Sequence, residues 1–79
     1  MTVAELAPSD PVSGDLLSVL HGRVFAQGWP ASAFHALLQI PGTLALVMLD
    51  DGRPVGFVVA RSVVDEAEII TIGVSTNVR

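Results

Sequence analysis

The apolar positions of this chain change their period about halfway along. Ser9-Asp10-Pro11 reads as a helix start, with Asp10 able to cap and Pro11 pre-set at the first helical position. Beyond it Leu16, Leu17, Val19, Leu20, Val24 and Phe25 fall at helical spacing, a stripe weakened by Gly14 and Gly22. Gln27-Gly28-Trp29-Pro30 breaks that helix. A second follows with Phe34, Leu37, Leu38 and Ile40 on one side, ended by Pro41-Gly42. After Gly42 the period shortens. Residues 43–49 (TLALVML) read as a strand, Asp50-Asp51-Gly52 as a tight hairpin turn and residues 54–62 as its partner. Asp65-Glu66-Ala67 reads as a second turn and residues 68–74 (EIITIGV) as a further strand, while residues 2–6 suit a short first strand. The predicted order is β-α-α-β-β-β, closing in an antiparallel meander.

The strand faces carry the next inference. Val55, Phe57 and Val59 alternate with Val58 and Ala60, and Ala45, Val47 and Leu49 alternate with Leu44, Leu46 and Met48. Both faces are apolar, the pattern of a sheet covered on two sides. The two helices suffice for one side only, and the last strand is an unprotected edge. A layer is missing.

Composition sharpens this. The 79 residues are 51% hydrophobic and only 15% charged, where an ordinary domain has about 25%. A chain this short buries roughly 60% of its unfolded surface, so its core is marginal. A net charge of -4 and four scattered cations argue against a nucleic-acid partner, which wants a basic patch. No cysteine means no disulfide scaffold, no thiol nucleophile and no thiolate zinc site, and no other metal site is expected. The uncharged stretch 24–49 is interrupted by Gln27, Gly28, Pro30, His35, Gln39, Pro41 and Gly42, so no membrane span is expected. The acidic start MTVAELAPSD, broken by two prolines, is not a signal peptide, and a cytoplasmic location follows as the expectation.

A spaced set of residues then points to a family. His21, Phe25, Trp29, Phe34, Leu37-Leu38 and Pro41-Gly42, followed by Gly56-Phe57 and DEAEIITIGV, resemble the GNAT acetyltransferases, and more narrowly their ribosomal-protein-alanine N-acetyltransferase branch. The resemblance covers nearly the whole chain but only the first half of that domain. It implies an α+β fold of the α/β-sandwich type, with a mainly antiparallel sheet and helices on one face. It makes residues 1–79 a partial GNAT domain that ends at the start of the phosphate-binding motif.

The activity it implies is acetyl transfer from acetyl-CoA to an amine, typically a protein N-terminal α-amine. Ile72, Gly73 and Val74 match positions whose backbone pairs with the pantetheine arm, since an extended amide chain hydrogen-bonds as a strand does. Gly73, lacking a Cβ, would allow close approach. The family holds the pyrophosphate with R/Q-x-x-G-x-G/A at a helix start. Arg79 matches its first residue, whereas Thr76 stands where a proline is common. Both glycines of that motif and the tyrosine that protonates the leaving thiolate are absent from these residues, which contain no tyrosine at all. The polypeptide is therefore expected to be inactive alone.

Each candidate also has a plainer reading. Glu68 matches a general-base position in some members, and a partly desolvated carboxylate beside Ile70 could draw a proton from an amine through water; it is equally a solvated residue at a strand start. Trp29 lies where the family shapes its acceptor site, or is a core anchor. His21 and His35 read as packing or surface residues, and Asp65 and Glu66 as solvated charges. Three readings stay open: half of an N-acetyltransferase, a non-catalytic half-domain that self-associates through its exposed strand edge, or a chain with no biochemical role. The first two require the edge 68–74 to be covered, and a homo-oligomer is the expectation.

Overall fold

The computed structural model describes residues 2–74, apart from the side chain of Val63. Its elements are β1 (Thr2–Glu5), α1 (Pro11–Val24), α2 (Ala31–Leu38), β2 (Thr43–Asp50), β3 (Arg53–Val63) and β4 (Glu66–Val74). The strands form one sheet in the order β1-β2-β3-β4, each neighbouring pair antiparallel. This is the β-α-α-β-β-β arrangement expected from the sequence.

Local chemistry explains the boundaries. The Asp10 side chain accepts a hydrogen bond from the Val12 N–H at 3.0 Å, and Pro11 opens α1 where a missing N–H costs nothing. Phe25 turns extended and ends it. Gly14 lets the two helices touch: a Cβ there would lie 3.1 Å from the Ala31 carbonyl oxygen and 3.2 Å from the His35 nitrogen. The β2–β3 hairpin turns on Asp51 (φ 53) and Gly52 (φ 77), the two left-handed residues that a two-residue hairpin requires.

The second turn differs from expectation. It falls at Val64-Asp65, and β4 begins at Glu66, with Glu66 opposite Val63 and Ala67 opposite Ser62. Val64 takes φ 55, a left-handed conformation that a β-branched residue rarely adopts, so its apolar side chain gives no turn signal. Glu68 consequently lies inside β4 and not at its start.

Leu17 and Leu20 of α1 and Phe34 and Leu38 of α2 close over Ala45, Val47, Phe57 and Val59 on one sheet face. The register puts Ala4, Val47, Phe57 and Gly73 in one row of that face, with Ala45, Val59 and Thr71 in the next. The opposite face has no helix among the described residues. Leu44 there is exposed, and Leu46, Met48, Val58 and Ala60 are only half-buried. Among the described residues, the second apolar face read from the alternation is this open face.

Two left-handed positions give opposite predictions. Gly42 (φ 89) abuts the Ser62 carbonyl, so Gly42→Ala should cost about 2 kcal/mol or more in chemical denaturation. Val64→Asn should instead stabilise by about 1 kcal/mol, because Asn tolerates the conformation that valine resists.

Candidate functional site

Two features of β4 were not legible in its alternation. Thr71 pairs with Val59 but Ile69 pairs with Ala60, so Ile70 is an extra residue, a β-bulge. The bulge reverses the faces of the strand below it. Ile69 and Ile72, three residues apart, both end up on the open side, 60% and 53% exposed, while Ile70 packs against the core. Strict period-two reading would have placed Ile69 on the helix side.

The second feature is why residue 73 is glycine. Gly73 lies opposite Phe57 on the covered face, and a Cβ on it would meet the Phe57 ring at 3.0 Å and Val24 Cγ1 at 3.1 Å. The space that its missing side chain leaves is filled from inside the protein. Phe57, fully buried, in turn lies 5.7 Å from the His21 ring.

His21 is the centre of an aromatic cluster. Its imidazole stacks on Phe25 at 4.3 Å and on Trp29 at 4.7 Å, and meets the edge of Phe34 at 5.4 Å. The Trp29 N–H donates to His21 Nδ1 at 3.2 Å, and the Ser18 hydroxyl donates to the Trp29 carbonyl at 2.8 Å. Burial lowers the His21 pKa below its ordinary value of 6.5, so at neutral pH the ring is uncharged. The packing role expected of His21 is the one it has. Trp29 is anchored on His21 and is 38% exposed in the loop between α1 and α2.

These contacts join two of the singled-out regions. Trp29, His21, Phe57 and Gly73 form a continuous packed path from the α1–α2 loop to β4. Gly73 is flanked by Ile72 on the open face and by Val74 opposite Gly56, over which the Met48 methyl lies. Glu68 is apart from this group. It sits five residues down β4, about 17 Å at ordinary strand rise, exposed and opposite Arg61. With Arg61, Glu66 and Ala67 it lines a shallow open depression. Glu68 is exposed, so the partial desolvation that the sequence suggested for it is not found. Arg79 lies outside the described residues. Among the described residues no cluster of three or more His, Asp or Glu side chains is placed to hold a metal, and no helix is long and apolar enough to cross a membrane.

Comparison with known proteins gives this arrangement its context. No protein-family model and no curated protein matches the sequence. Solved structures do match. The ribosomal-protein-S18-alanine N-acetyltransferase from Escherichia coli superposes with a TM-score of 0.79 and 22% identity, over 96% of this chain and 46% of that one. The ribosomal-protein-alanine N-acetyltransferase from Brucella melitensis biovar Abortus 2308 gives 0.72 and 22%, over 100% and 60%. An aminoglycoside acetyltransferase from an uncultured soil metagenomic sample, in complex with sisomicin, gives 0.72 and 22%, over 96% and 57%. The chain spans about half the length of these structures. It has the fold of the N-terminal half of a GNAT acetyltransferase.

Adjacent residues of β4 should respond differently to substitution. Gly73→Ala should destabilise by about 1–3 kcal/mol, since Phe57 and Val24 must give way. Ile72→Thr should change stability by less than about 0.5 kcal/mol in dilute denaturation experiments, where its exposed side chain has nothing to lose.

Proposed function

We propose that this chain is the cofactor-strand half of a GNAT N-acetyltransferase that moves acetyl from acetyl-CoA to an amine, a protein N-terminal α-amine being the substrate class, in the cytoplasm. The observation that carries the reading is β4 itself. Among the described residues it is the last strand of the sheet, paired with β3 on one side, and its outer edge is the one that the resemblance assigns to the pantetheine arm. Two features support such a partner: the side chain of Ile72 points away from the core, and the Phe57 ring lies against Gly73 on the covered face. Val74 is the third position of that set.

Bound acetyl-CoA supplies an activated acetyl thioester. The residues of this chain would orient it and manage a proton. Ile72 and Gly73 hydrogen-bond the extended arm through their backbone, as one strand holds another. An arm laid along β4 from Gly73 runs toward Glu68, whose exposed carboxylate accepts a proton from the attacking amine through water. Trp29 contacts the acceptor from the α1–α2 loop, held there by His21 and Ser18. Arg79 would face the pyrophosphate. These 79 residues carry no R/Q-x-x-G-x-G/A motif and no tyrosine to serve as leaving-group acid, and this reading expects no turnover from them alone.

A second reading is favoured by the open face. Val3, Leu44, Ile69 and Ile72 are exposed apolar side chains on one face of the sheet, the kind of surface that serves an interaction. A non-catalytic half-domain could bury it against a second copy. The two readings agree that the face is covered in the working assembly.

Amide-resolved NMR with added acetyl-CoA tests the proposal. Shifts should concentrate at Ile72 and Gly73 and leave β1 unchanged, and an Ala-starting peptide should not be acetylated by the 79-residue chain. Shifts absent from β4 at millimolar cofactor would reject the assignment of the arm. Protein-dependent acetylation of the peptide would reject the inactivity of the chain.

A further inference from the structure

The geometry points to a proton-sensitive clasp, in which Ser18 and His21 grip the two backbone polar groups of Trp29 and protonation of His21 releases one of them. Residues 18 and 21 lie one turn apart on α1, so their side chains emerge on the same side of the helix. Ser18 Oγ donates to the Trp29 carbonyl at 2.8 Å, and His21 Nδ1 accepts from the Trp29 N–H at 3.2 Å. The rest of the loop contributes no side-chain hydrogen bond to the helix among the described residues. Trp29 is therefore held at both its backbone N–H and its carbonyl by one helix face.

The acceptor role of Nδ1 determines the tautomer. An N–H donor opposite Nδ1 requires a lone pair there, which puts the single proton of the neutral ring on Nε2. Adding a second proton to Nδ1 sets two N–H donors 3.2 Å apart in a nearly dry site, where the hydrogen bond is lost. The flanking rings attract a cation and favour continued stacking. Release therefore concerns the Trp29 N–H and the loop backbone, not the position of the imidazole.

No neighbouring charge counteracts this. The groups facing His21 are the rings of Phe25, Trp29, Phe34 from α2 and Phe57 from β3. The titratable side chains on those elements are Asp15 and Arg23 of α1, His35 of α2, and Arg53 and Arg61 of β3; none of them makes an ion pair or hydrogen bond with His21. Desolvation lowers its pKa, so the clasp is intact above the unfolded-state value of 6.5 and opens as pH falls through the lower folded-state value. The clasp stands independently of acetyl transfer; only its consequence for an acceptor at Trp29 rests on the proposed function.

Hydrogen exchange at the Trp29 amide of the 79-residue chain, corrected for intrinsic chemistry, from about pH 8 to about pH 4.5, tests the inference, with His21 nitrogen shifts recorded on the same samples. At the alkaline end the shifts should show the Nε2–H tautomer. Protection of the Trp29 amide should fall about tenfold or more with the midpoint of His21, while the Ser62 amide, bonded to the Gly42 carbonyl at 2.9 Å, keeps its protection. His21→Asn should remove the pH step, and His35→Gln should leave it in place. An Nδ1–H tautomer, a Trp29 amide indifferent to the His21 titration, or Ser62 losing protection at the same midpoint would each overturn the clasp. Those outcomes are read on the unsubstituted chain, so a variant that fails to fold leaves the test intact.

Discussion

Among the described residues the sheet has two apolar faces and helices for one of them, and most features of this chain trace to that imbalance. On the covered side Phe57, Val59, Ala45 and Val47 are buried beneath Leu17, Leu20, Phe34 and Leu38. On the other, Leu44, Ile69 and Ile72 face outward with no charged residue between them on β2 or β4 of that face. Burying apolar area is the main favourable term in folding, so one uncovered face of four strands is a large unclaimed contribution. Low charge content and an apolar open face are the same fact seen in composition and in space.

The covered side also sets what β4 can do. Phe57 fills the place of a side chain at Gly73, and its ring passes the contact on to His21 and thence to Trp29. The edge strand and the α1–α2 loop are therefore not independent surfaces. In the proposed enzyme this packed path would link the cofactor strand to the acceptor side.

The sequence made the element order, the helix starts and the two-faced strands readable because each rests on local rules. Asp10-Pro11 caps a helix, Asp51-Gly52 makes a hairpin, and alternation assigns the faces. Three features escaped. The turn at Val64 is hidden because a β-branched residue occupies a left-handed position. The bulge at Ile70 is a pairing event between strands and leaves no mark on either one alone. The clasp on Trp29 joins residues eight and eleven positions apart, and the sequence offered only a histidine with no carboxylate nearby. Gly73 was legible as a special position, but its packing against Phe57 and Val24 is a tertiary fact. The resemblance residues served the fold well: the structural matches are to acetyltransferases of the expected kind, at 22% identity.

What covers the open face is the question on which the rest turns, and sedimentation velocity answers it most directly. At about 100 μM the 79-residue chain should sediment as a species larger than a monomer, and the Leu44→Lys/Ile72→Lys variant should remain folded and sediment as a monomer. A well-folded monomer of the unsubstituted chain at that concentration would contradict the proposal that a second copy covers this face.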